Sequence, residues 1–319
     1  MYEFELIKNY FSKISKENKS ALNLNDDIFF DKKKGIAISV DTYNLGYHFI
    51  DFKHPHLVIK KILRSSISDL ICKGVLPKFY FIAGSGNNKT FSKKNLSLVS
   101  KSLVQEQNKY NISLCGGDTT FSNKLSFTIT SLGYSKNIIY RNKALINDDI
   151  YVTGNLGDSF MGLQILKNKI KVSKKLKNYF VQKYYLPDIQ IKLTKKLLNF
   201  ANSSIDLSDG LIDDLSKMIN NQNLSFILNE NKIPISKNLS KIIKMKTMKK
   251  IKLVSNGDDY EILFTASKDK SRIIAQTSKN LGIKISKIGK ICSNKKRSVI
   301  IDEKGKEIVL KNKGHVHEF

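Results

Sequence analysis

The chain has 319 residues, of which 41% are hydrophobic and 26% are charged, and it contains only 17 glycines and 4 prolines. This length predicts one large domain or two ordinary domains with an ample hydrophobic core, and the composition excludes a disordered or collagen-like chain. No apolar run reaches the roughly 18 residues of a membrane-spanning helix, so we expect no membrane partner. Three cysteines without CxxC spacing and a charged N-terminal segment predict a cytoplasmic protein.

The net charge is +27, because 55 lysines and arginines outnumber 28 aspartates and glutamates. Such an excess is typical of proteins that bind nucleic acids. The lysines are scattered through every segment, however, and no nucleic-acid recognition motif accompanies them. Abundant Lys, Asn, Ile and Ser, together with the absence of Trp, instead indicate a composition bias and a solvated lysine surface. We therefore expect no nucleic-acid partner. A basic nucleic-acid-binding protein is the alternative that would explain the charge.

Hydrophobic periodicity predicts a mixture of helices and strands in the first half of the chain. In chain order, the predicted elements are an amphipathic helix at residues 2–15, a buried strand at 34–41, a helix at 56–74, a strand at 78–83, a helix at 93–110 and a strand at 125–134. The first of these strands would carry Asp41 at its C-terminal end.

Strands and helices also alternate in the second half, which begins near residue 147. The predicted elements are a strand at 148–153, helices at 158–167, 175–185, 188–200 and 211–219, a strand at 225–228, a helix at 237–245, and strands at 260–265, 285–291 and 299–301. No short-period repeat is present. The pattern predicts a mixed α/β (α+β) fold with two domains, at residues 1–140 and 141–319.

Acidic residues gather in six short clusters, which is unusual in so basic a chain. The clusters lie at residues 25–27, 39–42, 68–69, 116–120, 205–210 and 256–261. Each cluster alone would fit a turn or a helix cap. Carboxylates from several segments are, however, typical of a site where several Mg²⁺ ions neutralise a polyphosphate. Because the chain has no Walker A or GxGxxG motif, we expect it to bind any nucleotide through acids and metal ions.

The order and spacing of these clusters resemble those of the thiamine-monophosphate kinase family. The matching segments are the aspartates at 26–27, SVDT at 39–42 followed by Gly46 and His48, SDL at 68–70, CGGDTT at 115–120, YVTGNLGDS at 151–159, IDLSDGL at 205–211 and NGDDYEI at 256–262. The resemblance implies a fold like that of aminoimidazole ribonucleotide synthetase. In this fold an N-terminal mixed-sheet domain binds ATP and metal and forms a homodimer, and an α/β domain follows it.

The resemblance also implies an activity and roles for individual residues. The implied reaction is Mg²⁺-dependent phosphorylation of thiamine phosphate to thiamine diphosphate, by direct in-line transfer of the γ-phosphoryl group of ATP. The implied ligands of several Mg²⁺ ions are Asp27, Ser39, Asp41, Asp69, Asp118, Asp206 and Asp209. The implied ATP-binding residues are Gly117, Asp118, Arg141 and Ser208, and the implied substrate-binding residues are His48, Asp258 and His315. No nucleophile or base is assigned, because phosphoryl transfer needs mainly positioning and charge neutralisation.

Several positions differ from the family pattern. Residues 23–25 read Asn-Leu-Asn where the family usually has a glycine-rich segment, and Val40 stands where a threonine is common. Asp258 replaces a glutamate, and His315 stands at an aromatic position that packs on the thiamine ring. The metal ligands are thus all present, whereas the substrate-contacting positions differ. Another ATP-dependent enzyme of the same superfamily, which activates a different oxygen, is the second alternative.

Overall fold

Two mixed β-sheets organise the computed structural model, which describes residues 3–294 and 297–309. The first sheet contains β1 (Phe29–Asp31), β2 (Ile36–Asn44), β3 (Pro77–Gly86), β4 (Ser113–Phe121) and β5 (Ser126–Tyr134), in the order β1-β2-β5-β3-β4. The second sheet contains β6 (Asp149–Thr153), β7 (Ser203–Asp206), β8 (Leu224–Asn229), β9 (Ile262–Ala266), β10 (Ile285–Ser293) and β11 (Val299–Ile301), in the order β11-β8-β10-β6-β9-β7. The predicted mixed α/β class is confirmed.

Helices pack around both sheets. In chain order they are α1 (Glu3–Leu6), α2 (Pro55–Cys72), α3 (Lys93–Tyr110), α4 (Asp158–Leu166), α5 (Lys174–Tyr185), α6 (Thr194–Leu197), α7 (Leu211–Met218), α8 (Lys237–Lys246), α9 (Lys250–Val254) and α10 (Ser271–Leu281). Helix α2 contacts β2, β3 and β5 of the first sheet, and it also contacts α5 and β7 of the second half. It therefore lies between the two sheets.

Helix α2 is the most deeply buried helix that forms part of the site. It begins with Pro55 at its first turn, where a missing backbone N–H costs little, and ends before Gly74, whose φ is +81°. Fourteen of its 18 residues are buried. One hydrophobic cluster consequently continues from the first half of the chain into the second, and it joins Ile62 of α2 to Tyr184 and Phe264.

Most predicted elements are confirmed, but two predicted helices are wrong in extent. The helix predicted at residues 2–15 is reduced to α1 and a five-residue π-helix (Ile7–Phe11), because Tyr10 and Ile14 are exposed and no core stabilises a longer helix. The helix predicted at 188–200 is reduced to α6, and turns precede it. Five observed elements are not among those predicted: β1, β4, β7, α9 and α10.

The described residues also bear on the membrane and charge expectations. None of their helices is both long enough and apolar enough to cross a lipid bilayer. Lys32, Lys33 and Lys34 form the exposed turn between β1 and β2, as expected for a solvated lysine surface. Lys61 and Lys73 depart from that expectation, because they are only 1% and 0% exposed.

Candidate active site

A cavity of about 510 Å³ brings most of the predicted site residues together. Nine of them line it, namely Asp27, Asp41, His48, Asp69, Arg141, Asp206, Ser208, Asp209 and Asp258. A second cavity, of about 560 Å³, is lined by Asp158, Glu261 and other residues, and it contains none of the predicted site residues. The first cavity is therefore the candidate active site, although it is slightly smaller.

Three carboxylates of this cavity come from three different elements. Asp41 lies in the middle of β2, and not at its C-terminal end as predicted, whereas Asp69 belongs to α2 and Asp206 ends β7. Neighbouring hydroxyls orient two of these carboxylates. Ser39 Oγ donates a hydrogen bond of 2.5 Å to Asp69 Oδ2, and Ser68 Oγ donates one to Asp206 Oδ2. The packing of α2 on β2 and β7 thus creates the acidic centre.

This acidic centre forms no salt bridge within the described residues, since none includes Asp41, Asp69 or Asp206. Burial raises the pKa of Asp41 to about 6, and hydrogen bonding with Asp69 and Tyr43 opposes the shift. Burial and the charges of Asp41 and Asp206 raise the pKa of Asp69 well above its usual range. Burial likewise raises the pKa of Asp206. The charges of Lys73 and Arg141 nevertheless act on Asp206 and oppose the rise of its pKa. A divalent cation would relieve this accumulation of closely spaced carboxylates.

Asp26 and Asp27, by contrast, are paired with two cations. Lys73 Nζ lies 2.7 Å from Asp26 Oδ1 and 2.9 Å from Asp27 Oδ2. The Arg141 guanidinium contacts both carboxylate oxygens of Asp27, with its Nε 3.1 Å from Oδ2. The backbone N–H of Arg141 donates to Asp26 Oδ2 at 2.9 Å. Arg141, predicted to bind ATP, is therefore already a partner of Asp27.

Asp209 is also paired with a lysine. Lys217 of α7 forms salt bridges with Asp209 and, over 2.7 Å, with Asp213. The backbone N–H groups of Asp209 and Gly210 donate to Asp214 Oδ2 at 3.0 and 2.9 Å. These bonds fix the loop between β7 and α7, and they hold Asp209 beside the positive charge of Lys217.

The segment that carries Asp258 packs directly on this loop. The backbone N–H of Asp258 donates to Ser208 O at 2.8 Å. Gly257 has a φ of +69°, and a Cβ atom added to it would lie 2.0 Å from Ser208 O, so only glycine allows this approach. The Asp258 carboxylate is held by Lys61 Nζ at 2.8 Å and by Tyr260 Oη at 3.1 Å.

His48 follows β2 and is held by its own turn. The backbone N–H of Asn44 donates to His48 Nδ1 at 2.9 Å, and the imidazole packs edge-on against Tyr43 at a centroid distance of 5.7 Å. The orientation of the ring at the cavity wall is therefore fixed by β2 itself.

Among the predicted site residues that the structure describes, three are not part of the cavity wall: Ser39, Gly117 and Asp118. Ser39 is buried behind Asp69, so its hydroxyl orients that carboxylate. Gly117 and Asp118 are exposed on the edge strand β4. His315 lies outside the described residues.

Asp118 is separated from the cavity by the width of the first sheet. Thr42, which lines the cavity, pairs with Thr128, Thr128 pairs with Ala83, and Ala83 pairs with Asp118. Three strand spacings of roughly 4.8 Å place Asp118 about 14 Å from Thr42. Within one chain, Asp118 therefore cannot share an ion with Asp41.

Comparison with known proteins identifies the family. A family model described as AIR synthase related protein, N-terminal domain, matches residues 20–135. The thiamine-monophosphate kinase of Buchnera aphidicola subsp. Schizaphis graminum (strain Sg) is 35% identical over 325 residues, which cover 99% of this chain and 98% of that protein. The chain belongs to the thiamine-monophosphate kinase family. The thiamine-monophosphate kinase of Buchnera aphidicola subsp. Acyrthosiphon pisum (strain APS) is similarly 36% identical over 328 residues, with 99% and 98% coverage.

Solved structures support the same fold. The structure of AaThiL complexed with AMPPCP and TMP matches with a TM-score of 0.84 at 24% identity, and the match covers 99% of this chain and 97% of that one. The family resemblance seen in the sequence is thus confirmed for the thiamine-monophosphate kinase family and its fold.

Three lysines of this thiamine-monophosphate kinase site, Lys61, Lys73 and Lys217, are not predicted from the motifs. Each forms a salt bridge with an aspartate of the cavity. A helical-spacing argument could have found two of them, because Lys73 lies four residues after Asp69 and Lys61 eight residues before it. Residues at these spacings lie toward the same side of a helix, so Lys61 of α2 and Lys73, the residue that follows its last turn, both lie on the side of Asp69.

Proposed function

We propose that this chain is a thiamine-monophosphate kinase, which transfers the γ-phosphoryl group of ATP to thiamine phosphate by in-line attack. Identities of 35% and 36% over nearly the whole chain to proteins of that name support the proposal. The structural observation that carries it is the group of three carboxylates, Asp41, Asp69 and Asp206, which line one cavity and form no salt bridge in the described ranges. Phosphoryl transfer depends mainly on charge neutralisation and positioning, which such a group provides through metal ions.

Asp41, Asp69 and Asp206 would hold Mg²⁺ in this proposal. Carboxylate oxygens are the protein ligands that Mg²⁺ prefers, and water and phosphate oxygens complete its coordination. When bound, the ion neutralises and orients the transferred phosphate. The hydroxyls of Ser39 and Ser68 fix the orientation of the Asp69 and Asp206 carboxylates, as outer partners of metal ligands do. Asp209 stays a predicted ligand at the edge of this group.

Nucleotide and acceptor contacts are proposed for the remaining cavity residues. Arg141 and Ser208 are the proposed ATP contacts, and His48 and Asp258 are the proposed contacts to thiamine phosphate. Lys61 holds the Asp258 carboxylate in place, so this acceptor contact is made by a fixed group rather than by a mobile side chain. The acceptor is an ionised phosphate, and its attack therefore needs no protein base.

The proposal includes a homodimer formed through the open face of the first sheet. Val40 pairs with Thr130, and Thr130 pairs with Phe81, so these side chains share the face opposite to α2. Val40 and Phe81 are 61% and 40% exposed, and Tyr134 is exposed as well. An exposed apolar sheet face of this kind is typical of an interaction surface.

A dimer through this face would also give Asp118 a role. Asp118 pairs with Ala83, which lies two residues after Phe81 on β3. Side chains two residues apart on a strand point to the same face, so Asp118 lies on the same open face as Phe81. It is about 14 Å from the cavity of its own chain, as three strand spacings require. We infer that Gly117 and Asp118 complete the metal and ATP site of the partner subunit.

The domain boundary and the cellular compartment are further parts of the proposal. A boundary at residues 140/141 falls between β5 and β6, where the first sheet ends and the second begins. Cys72, Cys115 and Cys292 are all free thiols, which supports a reducing, cytoplasmic compartment.

The test is incubation of the purified chain with ATP, Mg²⁺ and thiamine phosphate, followed by chromatographic measurement of thiamine diphosphate and ADP. We expect equal amounts of the two products, and neither above background when thiamine phosphate is left out. ADP without thiamine diphosphate would contradict the proposal, and it would indicate that the enzyme activates a different oxygen.

A further inference from the structure

Lys73 is a buried lysine at the point where two carboxylates of the site meet. Its Nζ lies 2.7 Å from Asp26 Oδ1, 2.9 Å from Asp27 Oδ2 and 2.8 Å from Ser204 O. An ammonium group has three N–H donors, and these three oxygens use all of them. Lys73 therefore has no donor left for a phosphate oxygen of ATP, and its charge acts on the carboxylates alone.

The position of Lys73 is fixed by the end of helix α2. Its backbone N–H donates to Ile71 O and Leu70 O, and its carbonyl accepts a hydrogen bond of 3.0 Å from the N–H of Ile139. The carboxyl end of a helix carries partial negative charge, which favours a cation there. The side chain is 0% exposed, so water does not compete for its three contacts. The position of the ammonium group is thus fixed by the backbone hydrogen bonds of Lys73 and by the three contacts of its Nζ atom.

The charges around Lys73 balance within a few ångströms. Asp26 and Asp27 contribute two negative charges, and Lys73 and Arg141 contribute two positive charges. A divalent ion at Asp27 would therefore meet two cations rather than an excess of negative charge. The three carboxylates of the acidic centre, Asp41, Asp69 and Asp206, form no salt bridge in the part of the chain that the structure describes, and of the three, Asp206 is close enough for the charges of Lys73 and Arg141 to affect its pKa. The site thus has a neutralised half and an acidic half.

A metal ion at Asp27 would lie where the two halves meet. One carboxylate oxygen each of Asp27 and of Asp206, which belongs to the acidic half, and the sulfur of Cys72 lie within 4.8 Å of one another. We propose that the Lys73 ammonium is a resident cation of this active site, which replaces a divalent ion there, so that Asp27 is not a metal ligand in this chain. The inference rests on the proposed metal-dependent function, and it narrows the Mg²⁺ ligands to the acidic half.

The test counts Mn²⁺ ions bound per chain, by titration calorimetry and electron paramagnetic resonance, with AMPPCP present. We expect Lys73→Met to bind one more Mn²⁺ per chain than the wild type, because it leaves Asp26 and Asp27 with only one cation. Lys61→Met is the matched control, since Lys61 is also buried on α2 but pairs with Asp258. It should leave the number of ions unchanged. An equal number of ions in folded Lys73→Met and in the wild type would overturn the inference.

A second variant keeps the inference testable if Lys73→Met does not fold. Asp27→Asn should bind as many Mn²⁺ ions as the wild type, whereas Asp69→Asn should bind at least one fewer. Loss of an ion in Asp27→Asn would show that Asp27 is a ligand, and it would overturn the inference while leaving the kinase proposal intact. Absence of Mn²⁺ binding in the wild type and in every variant would reject both.

Discussion

At the residue scale, Asp69 is the carboxylate on which the acidic centre depends most. It accepts the hydrogen bond of Ser39, and it lies beside Asp41 without a basic partner among the described residues. Asp69→Asn keeps the size of the side chain but removes its charge, and an amide is a poor Mg²⁺ ligand. We expect steady-state turnover to fall by more than tenfold, which corresponds to about 1.4 kcal/mol of barrier. Circular dichroism should show an unchanged fold.

Asp269→Asn is the control for this substitution, because the Asp269 side chain is 69% exposed and lies outside the cavity. Its turnover should equal that of the wild type. A loss smaller than tenfold in Asp69→Asn would argue against a central metal role for α2.

Glu261 predicts a pH dependence of stability. Its carboxylate accepts hydrogen bonds from Thr153 Oγ1 at 2.5 Å and Gln190 Nε2 at 2.9 Å, and burial raises its pKa from 4.5 to about 7. Between these values the folded state holds a proton that the unfolded state has lost. The free energy of unfolding should therefore decrease as the pH rises from 4.5 to 7, and this contribution should be constant above pH 7.

Glu261→Gln should remove this decrease, because glutamine does not ionise. We expect the stability of the variant relative to the wild type to rise by up to about 3 kcal/mol between pH 4.5 and 8, at about 1.4 kcal/mol per pKa unit. Urea denaturation at both pH values measures the change. The exposed Glu303→Gln should show no such rise. Parallel pH profiles for Glu261→Gln and the wild type would contradict the assigned pKa.

The residues of the cavity were predictable only in part from the sequence. The resemblance of the motif order to the family implies Asp69 and Asp206 as site residues, and both line the cavity. The sequence does not predict which aspartates of the cavity are paired with a cation. Lys73 and Arg141 contact Asp27 from positions 46 and 114 residues later in the chain. Only tertiary packing decides which carboxylates receive a cation.

At the element scale, the contact between the segment 256–261 and the loop after β7 depends on one glycine. Gly257→Ala should strain a backbone at φ +69°, at a cost on the order of 1–3 kcal/mol. It should also push Asp258 away from Ser208, because its Cβ would lie 2.0 Å from the Ser208 carbonyl oxygen. We expect kcat/KM for thiamine phosphate to fall by at least about tenfold, since displacement of a positioning group by an ångström has effects of this size.

Gly282→Ala separates these two effects. Gly282 has a similar φ of +65°, but no atom lies within 4 Å of an added Cβ. The control should therefore lose stability through backbone strain and keep its kcat/KM. Equal kinetic constants for Gly257→Ala and the wild type would show that the segment does not position Asp258.

Elements differ in how well the sequence predicts them, and α2 and β4 illustrate why. The apolar face of α2 repeats at helical spacing, and one side of the helix is buried along its whole length, so periodicity locates it within two residues. Strand β4 is exposed at every position, and its Gly116 and Gly117 carry no side chains. No alternation of buried and exposed residues remains to mark it, and its pairing with β3 becomes apparent only in the folded sheet.

At the scale of the whole molecule, the open face of the first sheet predicts the oligomeric state. Phe81→Asp places a charge in the middle of this face, which a partner sheet would bury without a counter-charge. We expect the dimer dissociation constant to rise by at least about tenfold in analytical ultracentrifugation. Met245→Asp, on the exposed surface of α8, should leave it unchanged. A wild-type chain that is monomeric at micromolar concentration would reject the proposed dimer.

The position of α2 between the two sheets has a consequence for synthesis on the ribosome. Lys61 pairs with Asp258, and Lys73 donates a hydrogen bond to Ser204 O. These partners are translated 197 and 131 residues after the respective lysines. At roughly 5–20 residues per second, the helix must wait on the order of ten seconds before the second half of the chain covers it. During that interval the nascent N-terminal half exposes an apolar helix face with two unburied lysines. The positive charges of Lys61 and Lys73, which pair with aspartates in the folded enzyme, would keep this face solvated until the second half of the chain is synthesised.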